Sequence, residues 1–308
     1  MAWQLAYEGS GSPRDVALPP PPPWRTFPRR PSGDVFQPTL ALIEAVNAAL
    51  FLRRPLLITG APGSGKTTVI DSVAMELNLG RVLRWHVTSR STLADALYQY
   101  DVLGRIHAQQ LAGTADRATI EPFLRLGPLG TALLPGDRPR ALVIDEIDKS
   151  DLDLPSDLLD VLERGSFEIP ELVRLGPGSV DIREWGSEQV HAVNDGVVEC
   201  REFPFIVMTS NGERDFPAPF LRRCIRFHMP QPTAELLQRI VGAHLGEQLA
   251  ERPDTQELIG TFVSKLLAGE NLAVDQLLNA AHLLSVVDPS DDRYERLRDL
   301  LTRELSGA

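Results

Sequence analysis

The sequence predicts an α/β protein, a parallel sheet with helices on both faces followed by an all-helical C-terminal domain. Three observations point there. Apolar runs of strand length alternate with helix-period stretches through residues 38–230. The string GAPGSGKT, Gly60–Thr67, stands between one such run and one such helix. After Pro230 four helical patterns follow with no strand between them. Alternating strands and helices pack as a parallel sheet because each crossover helix must bury its apolar stripe on a sheet face.

In chain order, residues 1–37 read as a Pro-rich tail. Pro19–Pro23 is an unbroken proline run and PRRP follows at Pro28–Pro31. Such runs favour extended polyproline helix and cannot join a sheet, so the tail is a semi-rigid linker, a strap along the surface or a docking motif. Pro38–Leu52 is helical and strongly apolar, Pro55–Thr59 a buried strand, and Thr67–Asn78 a helix with Val69, Ile70, Val73, Ala74 and Leu77 on one face. Val82–Val87 is a second strand. Ser91–Gln110 has the spacing of one long helix, with Leu93, Leu97, Tyr100, Leu103 and Ile106 along its buried face. On that helix Tyr98 and Tyr100 are packing residues.

Gly113–Arg138 is richer in Gly and Pro. Ala141–Ile144 is a strand and Asp153–Arg164 a helix. Residues 165–204 read as inserted hairpins, with alternating apolar positions and turn signals at Gly176–Gly178 and Asn194–Gly196. Phe205–Thr209 and Cys224–His228 are the last strands. Ala234–Leu249, Gln256–Leu267, Ala273–Val286 and Arg293–Leu305 are the four C-terminal helices, so residues 38–230 and 231–308 form two domains. No internal repeat is visible.

GAPGSGKT fits the phosphate-binding pattern G-x-x-x-x-G-K-[ST] at every fixed position. Gly60, Gly63 and Gly65 let the backbone bend so that successive N–H groups converge on phosphate oxygens. Ala61, Pro62, Ser64 and Thr68 complete the cradle around them. Lys66 supplies a point charge for the β- and γ-phosphates, and the Thr67 hydroxyl is an Mg²⁺ ligand. The positive end of the following helix dipole adds to the site. Ala141–Asp148, ALVIDEID, ends an apolar strand in two carboxylates, at the strand end where open α/β sheets bind ligands. Asp145 is the candidate for the Mg²⁺ shell and Glu146 for orienting the attacking water. Asp148 and Lys149 read as groups that cap and solvate the next segment. Asn211, in FIVMTSN, sits past a buried strand where its amide suits a γ-phosphate or its water, although Asn is also ordinary turn chemistry. Arg222 and Arg223, in FLRRCIR, are either surface charges or guanidiniums offered to a neighbouring subunit's nucleotide.

These pieces in this order, GAPGSGKT, LVIDE, TSN, LRR and a helical lid, resemble the AAA+ ATPases and more narrowly their MoxR and dynein-related branch. The resemblance covers residues 38–286 and leaves the tail outside. It implies a P-loop NTPase core with a C-terminal all-α lid, ATP and Mg²⁺ as ligands, Walker A at Gly60–Thr67 and Walker B at Leu142–Glu146. It implies sensor 1 at Asn211 and an arginine finger at Arg222 or Arg223, with Arg223 favoured because LRRC resembles the branch's L-D-R-F string. It also implies a homo-oligomeric, usually hexameric ring, and a protein client or partner subunit, often one with a metal-binding adhesion domain. The inserted hairpins and the segment Arg105–Leu134 match places where the branch faces its pore or client. Trp185 belongs to that surface or packs on its own domain. Thr88 and Ser89 lie near the family's polar restraint on the Walker B glutamate. The family's lid arginine has no counterpart in Asn271–Leu278.

Bulk composition narrows the alternatives. The chain has 308 residues, is 43% hydrophobic and 24% charged, and carries a formal charge of −11. A nucleic-acid binder is usually basic, so a DNA-directed motor of the McrB-like kind is disfavoured. The apolar runs are too short for a membrane span, the N-terminal residues lack the pattern of a secretory leader, and a cytoplasmic location is expected. Cys200 and Cys224 form no C-x-x-C and read as buried hydrophobes; the six histidines show no ligand spacing. The leading expectation is an ATP-hydrolysing ring that remodels or assembles a protein client. A McrB-like motor and a slow nucleotide-gated assembly switch are the alternatives.

Overall fold

The computed structural model describes residues 7, 9–16, 20–27, 33–112, 119–270, 272–287, 294, 296–297 and 300–301. The proline pair of Pro28–Pro31 and most of the Arg293–Leu305 helix expected from sequence lie outside the described residues. The chain divides into two compact units. One takes the described residues of Met1–Pro38, Gly60–Ser72 and Met229–Ala308; the other takes Thr39–Thr59 and Val73–His228.

The elements follow in chain order: α1 Leu40–Leu52, β1 Leu56–Thr59, α2 Thr68–Glu76, β2 Leu83–His86, α3 Leu93–Leu97, β3 Tyr98–Tyr100, α4 Val102–Ala112, β4 Leu124–Leu126 and α5 Pro128–Ala132. Then come β5 Ala141–Asp145, α6 Leu154–Arg164, β6 Ser166–Glu168, α7 Pro170–Val173, β7 Ser179–Arg183, β8 Val190–Asn194, β9 Val197–Glu199 and β10 Phe205–Ser210. The last are α8 Ala218–Arg223, β11 Ile225–His228, α9 Ala234–Leu245, α10 Glu247–Ala250, α11 Pro253–Leu267 and α12 Val274–Val286.

The second unit holds a five-stranded sheet in the order β11-β1-β10-β5-β2, every pair parallel. Its central strands read as near-continuous apolar runs because both faces are covered. Leu142, Val143 and Ile144 on β5 and Ile206, Val207 and Met208 on β10 are fully buried. Local signals set the helix ends. Thr39 caps α1 by accepting from Leu42 N–H, and Gly165 closes α6 in the left-handed conformation, φ 66°. This is the parallel sheet that the strand–helix alternation predicts, with a helix-rich C-terminal part after it.

The long helix expected over Ser91–Gln110 is instead α3, β3 and α4. Tyr98–Tyr100 pairs antiparallel with Leu124–Leu126, so Tyr98 and Tyr100 are strand residues. Aromatic residues fit a pleated surface, and a tertiary partner overrides the local helical period. Asp101 then restarts the helix by accepting from Gly104 N–H at 2.8 Å. As a result Leu103 and Ile106 are exposed rather than in the core. The hairpins expected at 165–204 are present as β6–β9, which join β3 and β4 in a six-stranded sheet of order β3-β4-β7-β8-β9-β6. Trp185 packs within its own unit. Its N–H donates to Thr131 Oγ1, and the Arg125 guanidinium lies 5.3 Å from its ring. Cys224 is buried, which pushes its thiol up to about 12, whereas Cys200 is half-buried.

In the first unit, α9, α11 and α12 pack around Leu237, Val241, Ile259, Phe262, Leu277 and Ala281. The helical pattern expected over Ala234–Leu249 breaks at Gly246, φ 95°, into α9 and α10. Part of the N-terminal segment belongs to this unit. Pro22 has polyproline dihedrals, φ −60° and ψ 153°. The Trp24 indole Nε1–H donates to Asn279 Oδ1 on α12 at 2.9 Å, with His244 and His282 edge-on at 5.8 and 5.7 Å. Around Trp24 the tail therefore lies as a strap on this unit.

Candidate nucleotide site

The Gly60–Thr67 turn begins where β1 ends at Thr59 and runs into α2, whose Val69 and Ile70 are buried. Gly60, Gly63 and Gly65 all have positive φ, at 151°, 70° and 85°. The need for glycine is sharpest at Gly63. A Cβ there would stand 2.4 Å from Ala273 Cβ, at the residue that precedes α12. The lid residue against the phosphate loop is thus an alanine, in the stretch where the family's arginine is missing. Lys66 is buried, and its ammonium donates to the Gly60 and Ala61 carbonyls at 2.8 Å each. Ser64 N–H donates to Ala61 O and Thr68 N–H to Gly65 O. The Ser64 hydroxyl is buried with no hydrogen-bond partner. A buried orphan hydroxyl in a positively charged loop suits phosphate oxygens.

The second unit carries the carboxylates. Asp145 ends β5 between two register partners. His86 on β2 pairs with it directly, and Thr209 on β10 lies one step past the Met208–Ile144 pair. The Thr209 hydroxyl donates to Asp145 Oδ1 at 2.6 Å and accepts from Glu146 N–H at 2.9 Å. Glu146 is left-handed, φ 58° and ψ 47°, a conformation that a residue with a Cβ adopts at a cost. Its carboxylate Oε2 lies 2.8 Å from Lys149 Nζ and 3.5 Å from His86 Nε2. That contact holds the Lys149 ammonium above its ordinary range.

Two sequence expectations change here. Asp148 is not a solvated cap. It is 3% exposed, and its Oδ2 accepts from Asn211 N–H at 2.8 Å and Glu213 N–H at 3.1 Å. Lys149 engages Glu146 rather than only solvating its segment. The polar group of β2 that faces Glu146 is His86, not Thr88 or Ser89. Thr88 is tied into its own turn through Ser91 and Arg90 N–H. Strand alternation explains the difference, because β2 ends at His86 with Trp85 turned into the core.

The 211–214 loop is fastened once more by Arg214 Nη1 donating to Ser150 O at 2.7 Å. Arg223 Nε donates to Glu163 Oε1 on α6, and its Nη1 to Pro219 O at 3.2 Å. Arg222 is exposed, and its carbonyl accepts from Arg54. Sequence reasoning missed Thr209 and His86. Their signal was only positional, at the C-terminal ends of the strands on either side of Asp145.

Thr67 and Asp145 are oxygen donors, one hydroxyl and one carboxylate. Among the described residues no cluster of three His, Cys, Asp or Glu side chains could hold a metal alone. Mg²⁺ takes few protein ligands and completes its shell with water and substrate phosphate, so each of these oxygen donors is of a kind it accepts. No helix among the described residues is long and apolar enough to cross a membrane.

Comparison with known proteins places these features. Solved structures of NtrX from Brucella abortus, one of them in complex with ADP and one with ATP, align with TM-scores of 0.43 and 0.42 at 14% and 15% identity. The alignments cover 83% and 85% of this chain and 52% and 56% of theirs, so it spans about half the length of those proteins. No curated protein matches. The model of the AAA domain, dynein-related subfamily, matches residues 55–219, more than half of the sequence, from β1 through the phosphate loop and both carboxylates to the start of α8. The chain belongs to that family, the dynein-related AAA domains.

Proposed function

We propose that the protein is a Mg²⁺-dependent, MoxR-like ATPase that assembles into a ring and remodels a protein client, with residues 38–230 as its catalytic domain and 231–308 as its lid. One observation carries the reading. The phosphate loop leaves β1 at Thr59 and the carboxylate pair leaves β5 at Asp145, two parallel strands separated only by β10. Ligands of open α/β sheets bind at such carboxyl ends.

In this reading Lys66 and the loop amides hold the β- and γ-phosphates, and Thr67 and Asp145 hold Mg²⁺, which neutralises charge on the phosphoryl oxygens. Glu146 orients the attacking water, and Asn211 contacts the γ-phosphate or that water. Catalysis is then mostly positioning and electrostatics. An arginine from a neighbouring subunit completes the charge. The engagement of Arg223 with Glu163 within one chain supports the exposed Arg222 for that role, with Arg223 as the alternative.

Phosphate release from Mg-ATP tests the reading. Lys66→Ala should lose nucleotide binding. Glu146→Gln should bind ATP with turnover reduced about 100-fold or more. Near-normal turnover in Glu146→Gln would overturn the role of Glu146. Sedimentation with ATP reads the ring, and capture on the Glu146→Gln variant identifies the client. A slow nucleotide-gated switch is the second reading. It is favoured by the Lys149 contact on Glu146 and by alanine in place of a lid arginine. Fast turnover that rises with protein concentration would count against it.

A further inference from the structure

We propose that Thr209 is a positioning residue that sets the metal carboxylate and the water-orienting glutamate through one hydroxyl. The inference rests on the ATPase reading above. Thr209 is 1% exposed, so its hydroxyl has only protein to bond. It uses one donor and one acceptor, and both go to the Walker B pair. The proton goes to Asp145 Oδ1 and a lone pair accepts Glu146 N–H.

The consequence is geometric. With Oδ1 fixed by Thr209 and Oδ2 facing His86 Nδ1 at 3.9 Å, the Asp145 carboxylate cannot rotate without breaking a 2.6 Å bond. The second bond holds the peptide that turns Glu146 left-handed. Regular strand geometry would send two adjacent carboxylates to opposite faces, whereas past this turn both approach the same His86 ring, Asp145 Oδ2 at 3.9 Å and Glu146 Oε2 at 3.5 Å. The same strand end leads into Asn211, whose N–H is bonded to Asp148 just beyond the pair. Partners that orient a metal ligand typically matter 10–100-fold in metal affinity or activity. Thr209 therefore links the strand that carries Asn211 to the group that holds Mg²⁺.

The test titrates Mg²⁺ against binding of a fluorescent ATP analogue, with Mn²⁺ binding by electron paramagnetic resonance as a second readout. Thr209→Val keeps the shape and removes the hydroxyl. It should raise the half-saturating Mg²⁺ concentration about 10-fold and lower kcat at saturating Mg²⁺ about 10-fold, while metal-free nucleotide binding stays unchanged. Thr209→Ser restores the hydroxyl and should return both to within about twofold. A purely structural role would lower the melting temperature and leave the Mg²⁺ requirement where it was; that result overturns the proposal. If Thr209→Val does not fold, Thr209→Cys against Thr209→Ser carries the comparison, and equal Mg²⁺ requirements overturn it. A wild-type protein without Mg²⁺-dependent nucleotide binding would defeat the ATPase reading itself. Normal wild-type binding with unchanged variants defeats the role of Thr209 alone.

Discussion

Lys149 Nζ stands 2.8 Å from Glu146 Oε2, three residues away and past the left-handed turn. The pair is partly exposed, at 41% and 26%, so water screens it and the restraint is weak. In the proposed reaction, Glu146 has to leave this partner before it can orient the attacking water. Lys149→Met should therefore raise basal ATP turnover, by no more than about fivefold given how little exposed pairs contribute. Lys149→Arg, which keeps the contact, should stay near wild type. Steady-state phosphate release measures both, and a fall in kcat for Lys149→Met would show that the lysine assists rather than restrains.

Gly63 and Ala273 bring the phosphate loop and the start of α12 into contact with no room for a side-chain carbon. Gly63→Ala introduces two separable penalties. The backbone penalty at φ 70° is about 1–2 kcal/mol, and the steric one is the overlap with Ala273. ATP-analogue affinity should fall about 10-fold or more. Adding Ala273→Gly should recover only part of the loss, because the φ penalty stays. Full recovery would mean that backbone strain at residue 63 is unimportant.

The glycine-rich loop after β1 and the carboxylate pair at the end of β5 were legible because each is local. The loop needs glycine and lysine at fixed spacing, and Asp145 and Glu146 follow directly from an apolar strand. Thr209 and His86 were not legible, because their meaning comes from register. They gain it only when β10 and β2 lie on either side of β5. Asp148 was misread for a related reason. A carboxylate after a strand looks solvated until a neighbouring loop supplies N–H groups to it. The stretch from Ser91 to Gln110 failed differently. Its helical period is real, but β3 finds a strand partner in Leu124–Leu126 that the local pattern cannot announce.

Asp148 holds two backbone N–H groups of the 211–214 loop on one oxygen, in a buried setting. Hydrogen bonds to a charged group contribute about 1.5–3 kcal/mol each, and removing the acceptor also leaves buried donors unpaired. Asp148→Ala should destabilise the protein by about 2–4 kcal/mol in denaturant melts. It should also lower ATP turnover by loosening Asn211. Asp148→Asn retains an acceptor oxygen and should lose less on both counts. An Asp148→Ala variant with wild-type stability would show that the loop finds other acceptors.

His244 gives the strap-bearing unit a pH dependence whose direction can be stated in advance. Burial holds its imidazole below the ordinary histidine range, while Asp34 pulls the other way. The unfolded chain then takes up the proton first, near pH 6.5. Stability rises with pH wherever the unfolded state binds more protons. The contribution of His244 is therefore complete above about pH 6.5 and declines as pH falls from there toward its folded value. Trp24 covers this histidine edge-on and is itself anchored on Asn279. Two variants separate cause from coincidence. In His244→Gln the loss of melting temperature between about pH 7.5 and 5.5 should be smaller than in wild type, since one proton-linked group is gone. In Trp24→Ala the histidine gains access to water, so the loss should shrink in the same way while the melting temperature at neutral pH drops. An unchanged acid response in both would place the proton uptake elsewhere.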